Sequence, residues 1–257
     1  MPPHMKMAFP QFRHLLFHAF FVTCGLASPT LLAGQFAIAV ANDFDFTLEE
    51  LTREFERYSG HEVTIVPGPS SRHYGQIING AGYDIFLSDD STRPEILERE
   101  NKTIPGSRFT YAFSRLVLWS VDNRPLSPEV LREKNFHLLA LTNPRLSAYG
   151  RAAQEALETL SVWDSLQGKL LFGENVGQTY QFAISGDADL ALIAFSQIVY
   201  GQYMQAGSYW LIPEAWYTPI EQQGVLLTEN PAAREFLDYL QSDQARQIIQ
   251  GNGFSVP

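Results

Sequence analysis

The sequence predicts an α/β protein of two lobes, each a mostly parallel sheet with helices on both faces. Three observations predict it. Short apolar runs of strand length alternate with helical patterns along most of the chain, at Gln35 to Ala41, Glu62 to Val66, Asp84 to Ser88, Phe136 to Leu141, Leu170 to Phe172 and from Leu190. Arg108 to Ser120 reads as one unusually long apolar strand, able to leave one lobe and enter the other, with a return crossing near Pro219 to Leu227. The 257 residues are 45% hydrophobic and 13% aromatic, enough for one large core or two small ones, while 18% charged residues excludes a disordered or coiled-coil chain. A formal net charge of −10 and a pI near 5.0 argue against nucleic acid or an anionic membrane as partner. One cysteine cannot form an internal disulfide.

The first 33 residues carry Lys6 and Arg13 and no acidic residue, followed by the apolar run Leu15 to Ala27. That run is too short to span a bilayer comfortably, and Gly25-Leu26-Ala27 is a small-x-small cleavage signal, so residues 1–27 read as a secretory signal peptide. A cut after Ala33 and a retained amphipathic anchor are the alternatives. Cys24 follows Thr23, where a lipoprotein box has Gly or Ala, so it is expected to leave with the signal. Loss of two positive charges takes the net charge from −10 to −12.

The first βα unit runs through Asn42-Asp43 into Thr47-Leu48-Glu49-Glu50, a capping-box spacing that opens a helix through Phe55. The second, Gly60 to Asp90, breaks at Pro67-Gly68-Pro69, starts a helix at Ser70-Ser71 and stops it at Asn79-Gly80. A serine at a helix start presents a hydroxyl beside unpaired N–H groups and the positive end of the dipole, a place that receives an oxyanion without lysine or arginine. Capping alone is the plainer reading of such a serine. The middle of the chain repeats the theme at Ser147-Ala148-Tyr149-Gly150 and at Glu174-Asn175-Val176-Gly177-Gln178. From Asn230 to Gln250, Ala233, Phe236, Leu237, Leu240, Ala245 and Ile248 recur at helical intervals and predict two core-covering helices.

The stretch Tyr74, Gln76, Ile77, Asn79, Gly80, Ala81, then Tyr83, Asp84, Phe86, Ser88 and Asp90, resembles the ModA family, the periplasmic molybdate-binding proteins of ABC transporters. The segments Pro105 to Ser120, Thr142 to Ala153 and Glu174 to Ile193 are similar to the same family in the same order. The resemblance implies a type II periplasmic binding protein fold with two hinge crossings, lobe 1 from residues 28–114 plus 224–257 and lobe 2 from 115–223. It implies a periplasmic monomer that captures molybdate, and also tungstate, between the lobes and delivers it to an ABC permease. No cofactor, catalysis or nucleic acid is implied. It assigns the ligand to Asn42, Asp43, Ser70, Tyr149 and the Val176 backbone N–H. Donors spaced for long metal–oxygen bonds would leave sulfate under-coordinated.

Asp43 departs from the pattern, because the family places Ser, Thr or Asn in this turn and an ionised carboxylate cannot donate. At about 4 Å from a dianion it costs on the order of 1 kcal/mol per charge pair in water and about 4 at an effective dielectric of 20. Three accounts are open: Asp43 caps the helix and leaves Asn42 in the site, or it is protonated or takes a proton from a ligand such as hydrogen phosphate or arsenate, or tight oxyanion binding has been lost. Ala194 is a second departure, since some members have a contacting tyrosine there and Tyr149 would have to compensate. Arg108 and Arg115 read as surface residues of a strand, and His73 as a helix-surface histidine near Ser70. His61, His73 and His137 lack ligand spacing, and no nucleophile–base motif stands out. An enzyme on the same lobes and a ferric-ion carrier using Tyr217 are the remaining alternatives.

Overall fold

The computed structural model describes Met1, residues 33–199 and residues 207–257; the signal-peptide reading lies almost wholly outside them. β1 (Gln35–Ala41), α1 (Asp45–Ser59), β2 (Glu62–Gly68), α2 (Ser70–Ile78), β3 (Ile85–Ser88), α3 (Thr92–Arg99) and β4 (Phe109–Ser114) begin the first lobe. The chain crosses at Arg115 into β5 (Leu116–Ser120), α4 (Pro128–Glu133), β6 (Leu139–Thr142), α5 (Ala148–Thr159), α6 (Trp163–Leu166), β7 (Leu170–Gly173), α7 (Val176–Ile184), β8 (Leu190–Ala194), α8 (Phe195–Val199) and β9 (Ser208–Leu211). It returns through β10 (Ile220–Leu226) to α9 (Pro231–Leu240) and α10 (Asp243–Gly251). The single long strand expected from 108 to 120 is therefore two strands, divided where the chain changes sheets.

The two sheets repeat one plan. Their orders are β2-β1-β3-β10-β4 and β7-β6-β8-β5-β9. The first three strands of each are parallel, and the strand that has crossed from the other lobe, β10 or β5, lies antiparallel in fourth place. In both, the order reverses at the second strand, so the carboxyl ends of β1 and β6 are the switch points where an open α/β sheet leaves a crevice for ligand. An aspartate holds this centre in each lobe: Asp84 accepts the Ala37 N–H at 2.9 Å, and Asp189 accepts the Leu138 N–H at 3.1 Å.

β1 is apolar almost throughout because Ile38, Ala39, Val40 and Ala41 are buried on both sides of the sheet. One face packs on α1, α9 and α10 through Phe36, Leu48, Phe55 and Phe236, with Phe55 and Phe236 edge-to-face at 5.1 Å. The other packs Ala39, Phe86 and Val225 against Ile77 of α2 and Leu97 of α3. The second lobe builds its own core around Leu118, Trp119, Leu141, Leu157 and Leu192. Gly60 ends α1 in the left-handed conformation, φ 73°, its N–H on Glu56 O. Asn230 caps α9 ahead of Pro231, its Oδ1 accepting the Ala232 N–H at 3.1 Å.

Several readings need correction. α1 opens at Asp45, two residues before the expected capping box, and Thr47 is buried within its first turn. Its N-cap is Phe44, without a side-chain cap. His73 is buried rather than on a helix surface, its ring packed beneath Gly68, where an added Cβ would lie 2.9 Å from Nε2. Arg108 pairs with Glu98 at 2.7 Å and reaches Gln223, while Arg115 donates to Gly253 O at 3.0 Å and stacks over Phe195. Both serve the fold.

Candidate functional site

Asn42 and Asp43 follow the last residue of β1, at the first switch point. Tyr149 sits in the first turn of α5, which follows the second switch point at the end of β6. Ser147 caps α5, accepting the Tyr149 N–H at 3.1 Å, and Gly150 lets the helix lie directly on the end of β6. A Cβ on Gly150 would stand 2.4 Å from Thr142 O and 2.6 Å from Asn143 backbone atoms. The result places the Tyr149 hydroxyl 2.6 Å from Asp43 Oδ2, so the two switch points meet through one hydrogen bond. Both residues are almost fully buried.

Asp43 thus turns across the cleft rather than onto α1, against the capping account. Its Oδ2 also accepts from Gln222 Nε2 and lies 3.5 Å from Ser114 Oγ, residues of β10 and β4 where the chain crosses between sheets. Gln222 is held in that orientation because its Oε1 accepts from the Tyr111 hydroxyl at 2.8 Å. Its amide therefore points toward Asp43. The main-chain carbonyl of Asp43 accepts from Ser196 Oγ of α8 at 3.0 Å, a further link between the lobes. Asp43 Oδ1 is buried and has no hydrogen-bond partner among the described residues. Burial above all, reinforced by the charge of Asp89, pushes the Asp43 carboxyl up to about 7, despite the opposing hydrogen bonds from Tyr149 and Gln222. Burial and the Asp43 charge hold the Tyr149 hydroxyl well above its ordinary value, so it remains a donor.

The other expected residues fall in the same region. Ser70 is the first residue of α2, buried, its Oγ accepting the Asp89 N–H at 3.1 Å. Having accepted there, the hydroxyl still has its proton to give. Val176 begins α7, capped by Asn175, and its first-turn N–H lacks an intrahelical acceptor by position. A Cβ on Gly177 would come within 3.3 Å of Asn42 Nδ2, which shows how closely the end of β1 approaches the start of α7. Ala194 is fully buried, its N–H on Gln197 Oε1, and brings no hydroxyl. Gln222, Ser114 and Tyr111 were not anticipated. The signal that could have found Gln222 is the polar run Glu221-Gln222-Gln223 within the strand IEQQGVL, since a buried amide needs partners.

Beside the start of α2 a crevice of about 310 Å³ is lined from both lobes and carries Arg93, Arg145 and Arg151. Asp90 lines the same crevice, so its carboxylate offsets part of that positive charge. Arg93 pairs with Asp90 and also reaches Leu146 O of the second lobe at 3.1 Å. Arg93→Ala is expected to lower stability by about 1–3 kcal/mol, because it leaves the buried Asp90 carboxylate without its cation, measured by a thermal melt against the parent protein.

Residues 36–255 match the model of the bacterial extracellular solute-binding proteins. The chain belongs to that family. Within it, the chain is 37% identical to the Azotobacter vinelandii molybdate-binding protein ModA over 90% of its own length and 94% of the relative's. It is 38% identical to ModA of Rhodobacter capsulatus over 96% and 98%. The solved structure of the periplasmic molybdate-binding protein of A. vinelandii superposes with a TM-score of 0.80, at 35% identity, over 86% of this chain and 99% of that one. This member of the solute-binding family is therefore of the ModA kind, with its two sheets built on the two-lobed plan of that structure.

Proposed function

We propose that this solute-binding protein captures a tetrahedral oxyanion, molybdate and also tungstate, in the cleft between its sheets and passes it to an ABC permease. The observation that carries the reading is the meeting of both switch points at one buried polar centre, Asp43 of the first lobe on Tyr149 of the second. Asn42, Asp43, Ser70, Tyr149 and the Val176 N–H are the contacts. Hydroxyl, amide and main-chain donors suit an anion held without a bound cation, and the likeness to proteins named for molybdate supports the choice of ligand. The protein works as a periplasmic monomer, exported by residues 1–27, without cofactor or catalysis. Lobe 1 comprises residues 28–114 with 224–257, and lobe 2 residues 115–223, a return boundary that falls inside β10, whose residues from Ile220 already pair with β4 of the first sheet.

Asp43 favours a second ligand class, a monohydrogen oxyanion such as hydrogen phosphate or arsenate, because a carboxylate can accept the ligand's proton. Isothermal titration with molybdate, tungstate, sulfate and phosphate tests both. Tight binding of the first two alone is expected. Binding of phosphate alone would transfer the site to the second class, and binding of none would end the oxyanion reading.

A further inference from the structure

Among the described residues, the ion pairs of arginine and histidine do not include Asp43. The groups that face it are Tyr149 of α5, Gln222 of β10, Ser114 and Tyr111 of β4, and Asp89 just past β3. Both phenols are held above their ordinary value by burial and by Asp43 itself, so neither brings charge. His73, which feels the Asp89 charge, is pushed toward its neutral form by burial. Asp89 is then the charged neighbour, and it repels.

The hydrogen bonds are unequal between the two carboxyl oxygens. Oδ2 is surrounded by donors, from Tyr149 at 2.6 Å, from Gln222 and from Ser114 at 3.5 Å. Oδ1 is buried with no hydrogen-bond partner among the described residues, although the main-chain N–H of Asp43 itself lies close enough to the carboxyl to favour its ionised form. That arrangement suits a neutral carboxyl with its proton on Oδ1: one oxygen is wholly an acceptor, and the other has an O–H for which the described residues supply no partner. We infer that Asp43 meets the oxyanion as a neutral carboxyl whose Oδ1–H donates to a ligand oxygen, so that a fully ionised anion such as molybdate binds together with one proton.

The inference rests on the oxyanion reading and deepens it. Above the pH at which the free protein loses the Asp43 proton, binding of a dianion consumes one proton from solvent; below it, the proton is already in place. A monohydrogen oxyanion brings that proton itself. Asp43→Asn mimics the neutral form, its amide oxygen taking the Tyr149 and Gln222 bonds and its N–H₂ standing in place of Oδ1–H.

The test is isothermal titration of the protein with molybdate from about pH 6 to about pH 9, in buffers of different ionisation enthalpy. Molybdate affinity is expected to be level below about pH 7 and to fall about tenfold per pH unit above it, with close to one proton taken up per anion at the alkaline end. Asp43→Asn is expected to remove the slope and bind molybdate roughly a hundredfold more tightly than the parent protein at about pH 9. Phosphate, a monohydrogen dianion between about pH 8 and 9, should show no such fall with the parent protein if it binds. Binding of molybdate with no slope and no proton uptake would overturn the inference and leave the oxyanion reading intact. A slope that survives in Asp43→Asn would assign the proton elsewhere and also overturn it. No anion binding by either protein at any pH would overturn both.

Discussion

Replacing Tyr149 by phenylalanine is expected to weaken oxyanion binding by roughly two- to tenfold, because the hydroxyl that orients Asp43 through Oδ2 is lost, a buried hydrogen bond worth about 0.5–1.5 kcal/mol. The fold should tolerate the change, because the ring lies in the second-lobe core and keeps its packing. Only the hydroxyl, 2.6 Å from Asp43 Oδ2, is lost. The same substitution removes a hydrogen bond that favours ionised Asp43, so the carboxyl should hold its proton to a higher pH than in the parent protein. Titration calorimetry with molybdate gives the affinity, and a thermal melt that matches the parent protein separates a lost donor from a damaged fold. An affinity unchanged within twofold would remove Tyr149 from the contacts and leave the second lobe to act through α7.

Gly150→Ala is expected to damage stability and binding together. The added methyl would fall 2.4 Å from Thr142 O and 2.6 Å from the Asn143 backbone, neither of which can turn aside as a side chain could. The first turn of α5 must lift from the end of β6, an overpacking cost of about 1–3 kcal/mol. For a chain of this size that lowers Tm by roughly 2–12 °C. Tyr149, the preceding residue, moves with the turn, so molybdate affinity should fall as well. Gly75→Ala is the control: on α2, where nothing lies within 4 Å of the added methyl, alanine should raise stability by about 0.5–1 kcal/mol through helix propensity alone. A Gly150→Ala protein that melts with the parent would mean α5 is not seated on β6 as described.

These two neighbours also show what the sequence could and could not disclose. The strand–turn–helix order, the helix starts at Ser70 and Tyr149 and the turn at Asn42-Asp43 are local patterns, and each was legible because capping, breakers and periodicity act within a few residues. The fate of the Asp43 carboxyl was not local. Its partners Ser114, Tyr149 and Gln222 lie 71, 106 and 179 positions further along the chain, and no spacing rule links them. His73 was misjudged for a related reason: its helical position looks peripheral, yet β2 ends over it at Gly68, a glycine that leaves room for the ring. The motif residues Gln76 and Asp84 are chiefly structural. Gln76 accepts from the Tyr83 hydroxyl at 3.0 Å, and Asp84 fastens β1 and Thr228.

The placing of β10 between β3 and β4 sets an order of assembly during synthesis. β4 leaves the ribosome long before β10, its only sheet neighbour among the described strands; the Phe113–Ser255 bridge arrives later still. The sheet that is made first is thus the one finished last, whereas β5 to β9 are contiguous and can close as they emerge. A nascent chain stopped before Ile220 would hold a complete second sheet and a three-stranded remnant of the first, its edge at β3 uncovered. In a protein so ordered, the last few dozen residues decide whether the first hundred fold.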